Sequence, residues 1–167
     1  IVQAVPCARL LLKNSKDNSY EVENLRAMEK KIGFLDGQIE VQTASNNYLK
    51  EYAKVDIALD TYPYPGGGTT CEALYMGVPV ISLYGTRHGS RFGYSILQNI
   101  GLGELAVTCI EEYIQTAVAL AMDRELLLFL HQHLRSMMQK SPLMDAKNYV
   151  AEVEACYAEI WEKYLRG

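Results

Sequence analysis

Apolar positions along this chain follow two rhythms, and the rhythm changes once. Up to about residue 107, short apolar runs alternate with stretches of helical period. Ala8 to Leu12 reads as a strand, followed by a polar turn at Asn14 to Asn18. Tyr20 to Ile32 places Val22, Leu25, Met28 and Ile32 at helical spacing, with Ser19 as cap and Gly33 as stop. Ile39 to Val41 is a second short strand. Asn46 to Ala53 is a polar helix with Tyr48, Leu49 and Tyr52 on one face. Val55 to Leu59 is a third strand, and Thr70 to Met76 a helix ended by Gly77. Val78 to Leu83 is a fourth strand with Pro79 near its start. A loop, Gly85 to Gly89, leads to a helix over Arg91 to Ile100 and a last short strand at Leu105 to Val107. Beyond Cys109 the period is helical throughout: Ile110 to Met122, Arg124 to Gln139 and Asp145 to Tyr164, with Pro142 between the last two.

Strands that alternate with helices predict an α/β fold, a parallel sheet with helices on both faces, here with a helical C-terminal tail wrapped around it. In such sheets ligands bind at the carboxyl ends of the strands. The loops Asp60 to Gly68 and Tyr84 to Ser90 then share one edge.

The first of these loops carries the most chemistry. Gly66, Gly67 and Gly68 stand between an apolar run and the start of a helix, followed by Thr69 and Thr70. The first turn of a helix has unpaired N–H groups and the positive end of the helix dipole, which suits a phosphate or another anion. Glu72, one turn in, supplies a carboxylate suited to sugar hydroxyls. The competing reading is a sharp strand-to-helix turn with an N-capping Thr. The segment matches neither the P-loop pattern, since no Lys follows the glycines, nor GxGxxG. Gly67 or Gly68 is expected to adopt a backbone conformation that other residues resist, or to lie against a ligand.

The length of 167 residues suits a single domain, residues 1–167, and 49% hydrophobic residues can fill its core. A net charge of −4 argues against a nucleic-acid surface, and no apolar run is long enough to span a membrane. The first residue is Ile1, with no leader visible, so the chain reads as a fragment. Cys7, Cys71, Cys109 and Cys156 are dispersed, with no metal-ligand spacing. They read as reduced thiols of a cytoplasmic protein, mostly in the core, and their spacing argues against zinc.

Four blocks in order carry a family resemblance. They are Val55-Asp56-Ile57-Ala58-Leu59-Asp60-Thr61, Thr69-Thr70-Cys71-Glu72-Ala73-Leu74, Met76-Gly77-Val78-Pro79-Val80, and His88-Gly89-Ser90-Arg91 with Gly101-Leu102 and Glu104-Leu105. The segment resembles the C-terminal catalytic half of the O-linked N-acetylglucosamine transferase family, bacterial tetratricopeptide-linked members in particular. The likeness extends weakly to both ends, through Ser141-Pro142-Leu143 and the closing helix with Trp161. It implies a Rossmann-like domain, the C-terminal half of a GT-B glycosyltransferase, binding a UDP-sugar. It implies that Gly67, Gly68, Thr69 and Thr70, with Gly66 beside them, wrap the diphosphate and that Glu72 holds the ribose. The loop for uracil maps near Thr43, Ala44, Ser45 and Tyr48, without the basic residue or His frequent in the family. Pro65 and Gly68 stand where many bacterial relatives carry Asn and Thr. The acceptor implied is protein Ser or Thr. The family's first C-domain strand, its phosphate-binding Lys and its N-terminal catalytic domain lie upstream, so no catalytic base is assigned and the isolated chain is expected to transfer no sugar. No metal or other cofactor is expected. The alternatives are a GT-B transferase with another nucleotide sugar or a glycan acceptor, and a noncatalytic nucleotide-sensing or protein-interaction module.

Other polar residues have two readings each. Arg91 faces a diphosphate and His88 a sugar or acceptor, or else His88 and Ser90 cap the next helix while Arg91 pairs with a carboxylate. His131 and His133, at i and i+2, do not share a helix face and are expected on a solvated surface. Lys13 is expected to meet solvent. Tyr62-Pro63-Tyr64-Pro65 is an aromatic wall or a rigid packed loop. Glu111 and Glu112 are an acidic helix start.

Overall fold

Among the described residues five short strands form, and every pairing between them is parallel. The computed structural model describes residues 1–14, 31, 33–35, 37–43 and 45–167. Strand β1 (Leu10–Asn14) pairs with β2 (Ile39–Thr43), with Leu10 opposite Ile39. Strands β3 (Ala58–Leu59), β4 (Val80–Leu83) and β5 (Ala106–Val107) form a second sheet in that order. Between them lie α1 (Tyr48–Glu51) with a 3₁₀ turn (Tyr52–Lys54), α2 (Gly68–Tyr75), and α3 (Phe92–Asn99). The C-terminal part is α4 (Ile110–Met122), α5 (Arg124–Lys140) and α6 (Ala146–Arg166). The helix expected over Tyr20 to Ile32 falls outside the described residues.

Strand β4 is the axis of the core. All four of its residues are buried, because α2, α3 and α4 pack around it. Leu74, Ile81, Leu97 and Leu134 are sealed from solvent at its centre. Helix α5 closes the cluster from behind α2, through Leu130, Leu134 and Met138.

The third and fourth strands are shorter than the apolar pattern predicts, for a hydrogen-bonding reason. The Val55 N–H closes the 3₁₀ turn onto the Tyr52 carbonyl, so the ladder with β4 begins only where Ala58 N–H reaches the Pro79 carbonyl. Pro79 has no N–H to give a ladder. The Val78 N–H is committed to the Ala73 carbonyl, and Gly77 N–H to Leu74, a Schellman closure of α2 with Gly77 at φ 86°.

Three expectations fail here. The last helix does not wrap the sheet: α6 packs on the Pro142–Met144 turn and has no buried residue. His131 is not solvated; it is half-buried, with Nδ1 2.7 Å from the Gly77 carbonyl. The cysteines are mostly not core residues: Cys7 and Cys156 are exposed and Cys109 is half-buried, while Cys71, also half-buried, packs against the core. His133 is exposed as expected, stacked on Phe129.

Candidate functional site

Because β3, β4 and β5 are parallel, the segments that follow them emerge on one edge. The chain leaves β3 at Asp60, and this residue organises the loop beyond it. Its Oδ1 accepts from the N–H of Gly66 at 2.7 Å and of Thr61 at 3.0 Å. Its Oδ2 accepts from the hydroxyl of Ser82, a fully buried residue of β4, at 2.7 Å. The Asp60 carbonyl accepts from the Tyr113 hydroxyl of α4 at 2.8 Å. Gly93, in the first turn of α3, leaves room for this arrangement: a Cβ there would lie 2.5 Å from Asp60 Oδ2. Asp60 thus ties β3, β4 and the loop through its carboxylate and α4 through its carbonyl. Sequence reasoning missed it. The available signal was an Asp ending an apolar run just before a turn, where its side chain can bond the backbone ahead.

Past Gly66 the chain enters α2. Gly67 is the cap residue and makes no side-chain cap, so the capping-Thr reading does not hold. The first intrahelical bond is Cys71 N–H to the Gly67 carbonyl at 3.1 Å. The amides of the first turn therefore face outward without intrahelical partners. Thr70 is buried and Thr69 exposed. None of Gly66, Gly67 and Gly68 has positive φ, so the expected unusual backbone at Gly67 or Gly68 is absent. The steric demand falls on Gly66 instead, where a Cβ would lie 2.5 Å from Thr69 Oγ1 and 2.6 Å from Thr70 Oγ1, while Gly67 and Gly68 face open space.

Glu72 is half-buried and accepts a hydrogen bond from the Tyr48 hydroxyl at 2.7 Å. That bond, ahead of desolvation and the carboxylate's charge, pushes the Tyr48 phenol up. Tyr52, one turn along the same face, places its hydroxyl 3.5 Å from the Thr69 carbonyl. Its phenol is raised, first by burial and then by Glu72. Burial and then Glu72 also raise the Cys71 thiol. The structure thus joins Tyr48, from the predicted base loop, to Glu72, from the predicted ribose position.

Among the described residues no hydrogen bond joins Ser45 or Thr43 to this pair. Thr43 ends β2. The Ser45 hydroxyl donates to Glu51 at 2.6 Å, and Lys13 forms an ion pair with the same carboxylate. Lys13 is exposed as expected, and it is also engaged by this ion pair. Its ammonium, then the Ser45 hydroxyl, holds the Glu51 carboxyl below the usual range.

The loop after β4 lies next to the loop after β3: the Tyr62 hydroxyl sits 3.3 Å from where a Gly85 Cβ would be. Arg91 lies over the Tyr94 ring, which stacks on Tyr84. It lines an open depression of about 420 Å³ with Tyr84, Gly85, Thr86 and Thr108. No carboxylate among the described residues pairs with Arg91. His88 packs edge-on to Phe92. Neither His88 nor Ser90 caps α3 through its side chain, and the Ser90 hydroxyl instead donates back to the Arg87 carbonyl. Tyr62 and Tyr64 are exposed while Pro65 is buried. Glu112 accepts from Thr108 N–H at the start of α4, as an acidic helix start does. Among the described residues no three His, Cys, Asp or Glu side chains gather as a metal site.

A cradle of this kind can hold an anion at the α2 N-terminus with hydroxyl-bearing atoms against Glu72. Comparison with known proteins agrees with the architecture. The family model described as glycosyl transferase family 41 matches residues 1–153. Over 123 residues the chain is 41% identical to a probable UDP-N-acetylglucosamine–peptide N-acetylglucosaminyltransferase SPINDLY from Eustoma exaltatum subsp. russellianum, covering 74% of this chain and 13% of that protein. A protein of the same description from Solanum lycopersicum is 33% identical over 171 residues, covering 100% of this chain and 18% of its own. A solved mutant O-GlcNAc transferase from Thermobaculum terrenum superposes with a TM-score of 0.90 at 33% identity, over 97% of this chain and 32% of that one. The chain thus spans less than a fifth of these curated relatives. Its fold is that of the Rossmann-like C-terminal half of a GT-B enzyme. Both the family match and the superposition cover the strand-to-helix cradle, and the chain belongs to glycosyl transferase family 41.

Proposed function

We propose that residues 1–167 are the nucleotide-sugar-binding domain of a glycosyltransferase that moves N-acetylglucosamine, or a related sugar, from UDP to protein Ser or Thr. One observation carries this reading: Asp60 pins a glycine loop at the N-terminus of α2, with Glu72 held one turn further in by Tyr48. The diphosphate takes the free amides of Gly68, Thr69 and Thr70, with Gly66 and Gly67 letting it approach. The ribose hydroxyls donate to Glu72. The base extends from there towards the segment that holds Thr43, Ser45 and Tyr48.

When the bond from the sugar's anomeric carbon to the β-phosphate oxygen breaks, negative charge grows on the departing UDP. Oriented amides and the helix dipole stabilise that charge without reorganising. Arg91 adds positive charge on the neighbouring loop, with His88 beside it. No metal is needed for this step. The catalytic base and acceptor groove belong to parts of the enzyme outside residues 1–167. Dispersed free cysteines support a cytoplasmic setting, and no helix among the described residues is long and apolar enough to cross a membrane.

Calorimetric titration of the full-length protein with UDP, UDP-N-acetylglucosamine, GDP and a GDP-sugar tests the proposal. UDP and its sugar are expected to bind. Glu72→Ala is expected to weaken UDP by roughly 1.5–3 kcal/mol and leave inorganic pyrophosphate unchanged. Binding of the guanine nucleotides alone moves the donor to another nucleotide sugar. Binding of none favours a noncatalytic module.

A further inference from the structure

The bond between Tyr48 and Glu72 links two elements that share no sheet. Tyr48 stands in a helix of 4 residues after β2, and Glu72 stands 24 residues later in α2. A Glu side chain at the half-open start of a helix has three rotatable bonds and several staggered positions. Only some of them aim the carboxylate along the amides of the first turn. The Tyr48 hydroxyl selects one position by holding Oε1 at 2.7 Å. An ionised carboxylate has about four acceptor sites on its two oxygens. After Tyr48 has used one, Oε2 and the second lone pair of Oε1 remain for two donors. A vicinal diol has two donors at that spacing. Tyr52 braces the same helix face against the Thr69 carbonyl, so the phenol approaches from a supported element.

We infer that Tyr48 is a positioning residue that holds Glu72 ready for a vicinal ribose diol, and so sets the preference of the site for ribonucleotides over 2′-deoxyribonucleotides. This rests on the reading of Glu72 as the ribose partner. Tyr48 acts through Glu72 and touches no phosphate. Its loss therefore lowers discrimination at the sugar while leaving the diphosphate cradle as it was.

The experiment measures affinities of the full-length protein for UDP, 2′-deoxy-UDP and inorganic pyrophosphate, with GDP and 2′-deoxy-GDP in parallel. The wild type is expected to prefer the ribonucleotide by roughly tenfold or more, the worth of one bond to a charged acceptor. Tyr48→Phe, which keeps the ring, is expected to cut that preference about threefold or more. It leaves pyrophosphate affinity and melting temperature unchanged. Glu72→Ala removes the preference, and Tyr48→Phe in the Glu72→Ala background adds nothing, since the two act as one unit. If Glu72→Ala removes the preference and Tyr48→Phe retains it in full, the positioning role is wrong and the ribose reading stands. If Glu72→Ala leaves the preference intact, or no nucleotide binds, the ribose reading fails and the role of Tyr48 fails with it.

Discussion

The Tyr113 hydroxyl donates to the backbone carbonyl of Asp60 at 2.8 Å, so the helix after β5 latches the end of β3 at the point where the glycine loop begins. The two residues are 53 positions apart, and the carbonyl they share is the last before the turn. A helix that packs on the central strand thereby sets where the candidate site starts.

Tyr113→Phe leaves the Asp60 carbonyl without this partner, and we expect a loss of roughly 1–2 kcal/mol in urea unfolding. Burial first, and Asp60 second, raise the Tyr113 phenol well above its ordinary 10.0. A raised folded value means the contribution is full below pH 10 and is lost as pH rises towards the folded value. The wild type is therefore expected to lose stability progressively above about pH 10. Stability curves taken at increasing pH are expected to fall less steeply for Tyr113→Phe.

The three glycines are not equivalent. Gly66→Ala drives a Cβ into both Thr69 Oγ1 and Thr70 Oγ1, and displacing them distorts the first turn of α2. Nucleotide affinity is expected to fall roughly tenfold, about 1.4 kcal/mol. Gly68→Thr meets open space and is expected to melt with the wild type. Titration of both variants with UDP, alongside thermal melts, checks the contrast; equal behaviour of the two would remove the special place of Gly66.

Gly93→Ala places a methyl against Ser82 and Asp60, both committed to one hydrogen bond. Overpacking of this kind is worth roughly 1–3 kcal/mol of stability. Because the carboxylate must move, amide exchange at Gly66 is expected to quicken along with the drop in unfolding midpoint. Faster exchange across all helices without a local change at Gly66 would argue against the link through Asp60.

Lys13 and Ser45 hold the Glu51 carboxyl below its ordinary 4.5. A depressed folded value means the contribution is full above pH 4.5 and is lost as pH falls through the folded value. Lys13→Met is expected to move the Glu51 titration upward, towards the ordinary value, in a carbon-detected NMR titration. Stability between neutral pH and pH 5 is expected to change little, as an exposed pair contributes modestly.

The alternation of short apolar runs with helical periods was enough to read a parallel α/β fold, because burial on a sheet imposes one period and burial on a helix another. The glycines before Thr69 and the carboxylate at Glu72 were legible for a similar reason: a helix start has free amides wherever it occurs. Sequence could not decide the length of β3, which depends on whether the Val55 N–H closes a turn or joins a ladder. Nor could it show that Gly66, not Gly67, is the crowded position, since that depends on where two threonine hydroxyls point once α2 has formed. His131 had a helical period like its exposed neighbours, yet α5 crosses α2 close enough for its ring to reach Gly77. The bond from Tyr113 to Asp60 and the pairing of Tyr48 with Glu72 have no local signature at all. Each is a contact across 24 residues or more, and such contacts exist only after separate turns have brought distant segments to the same sheet edge.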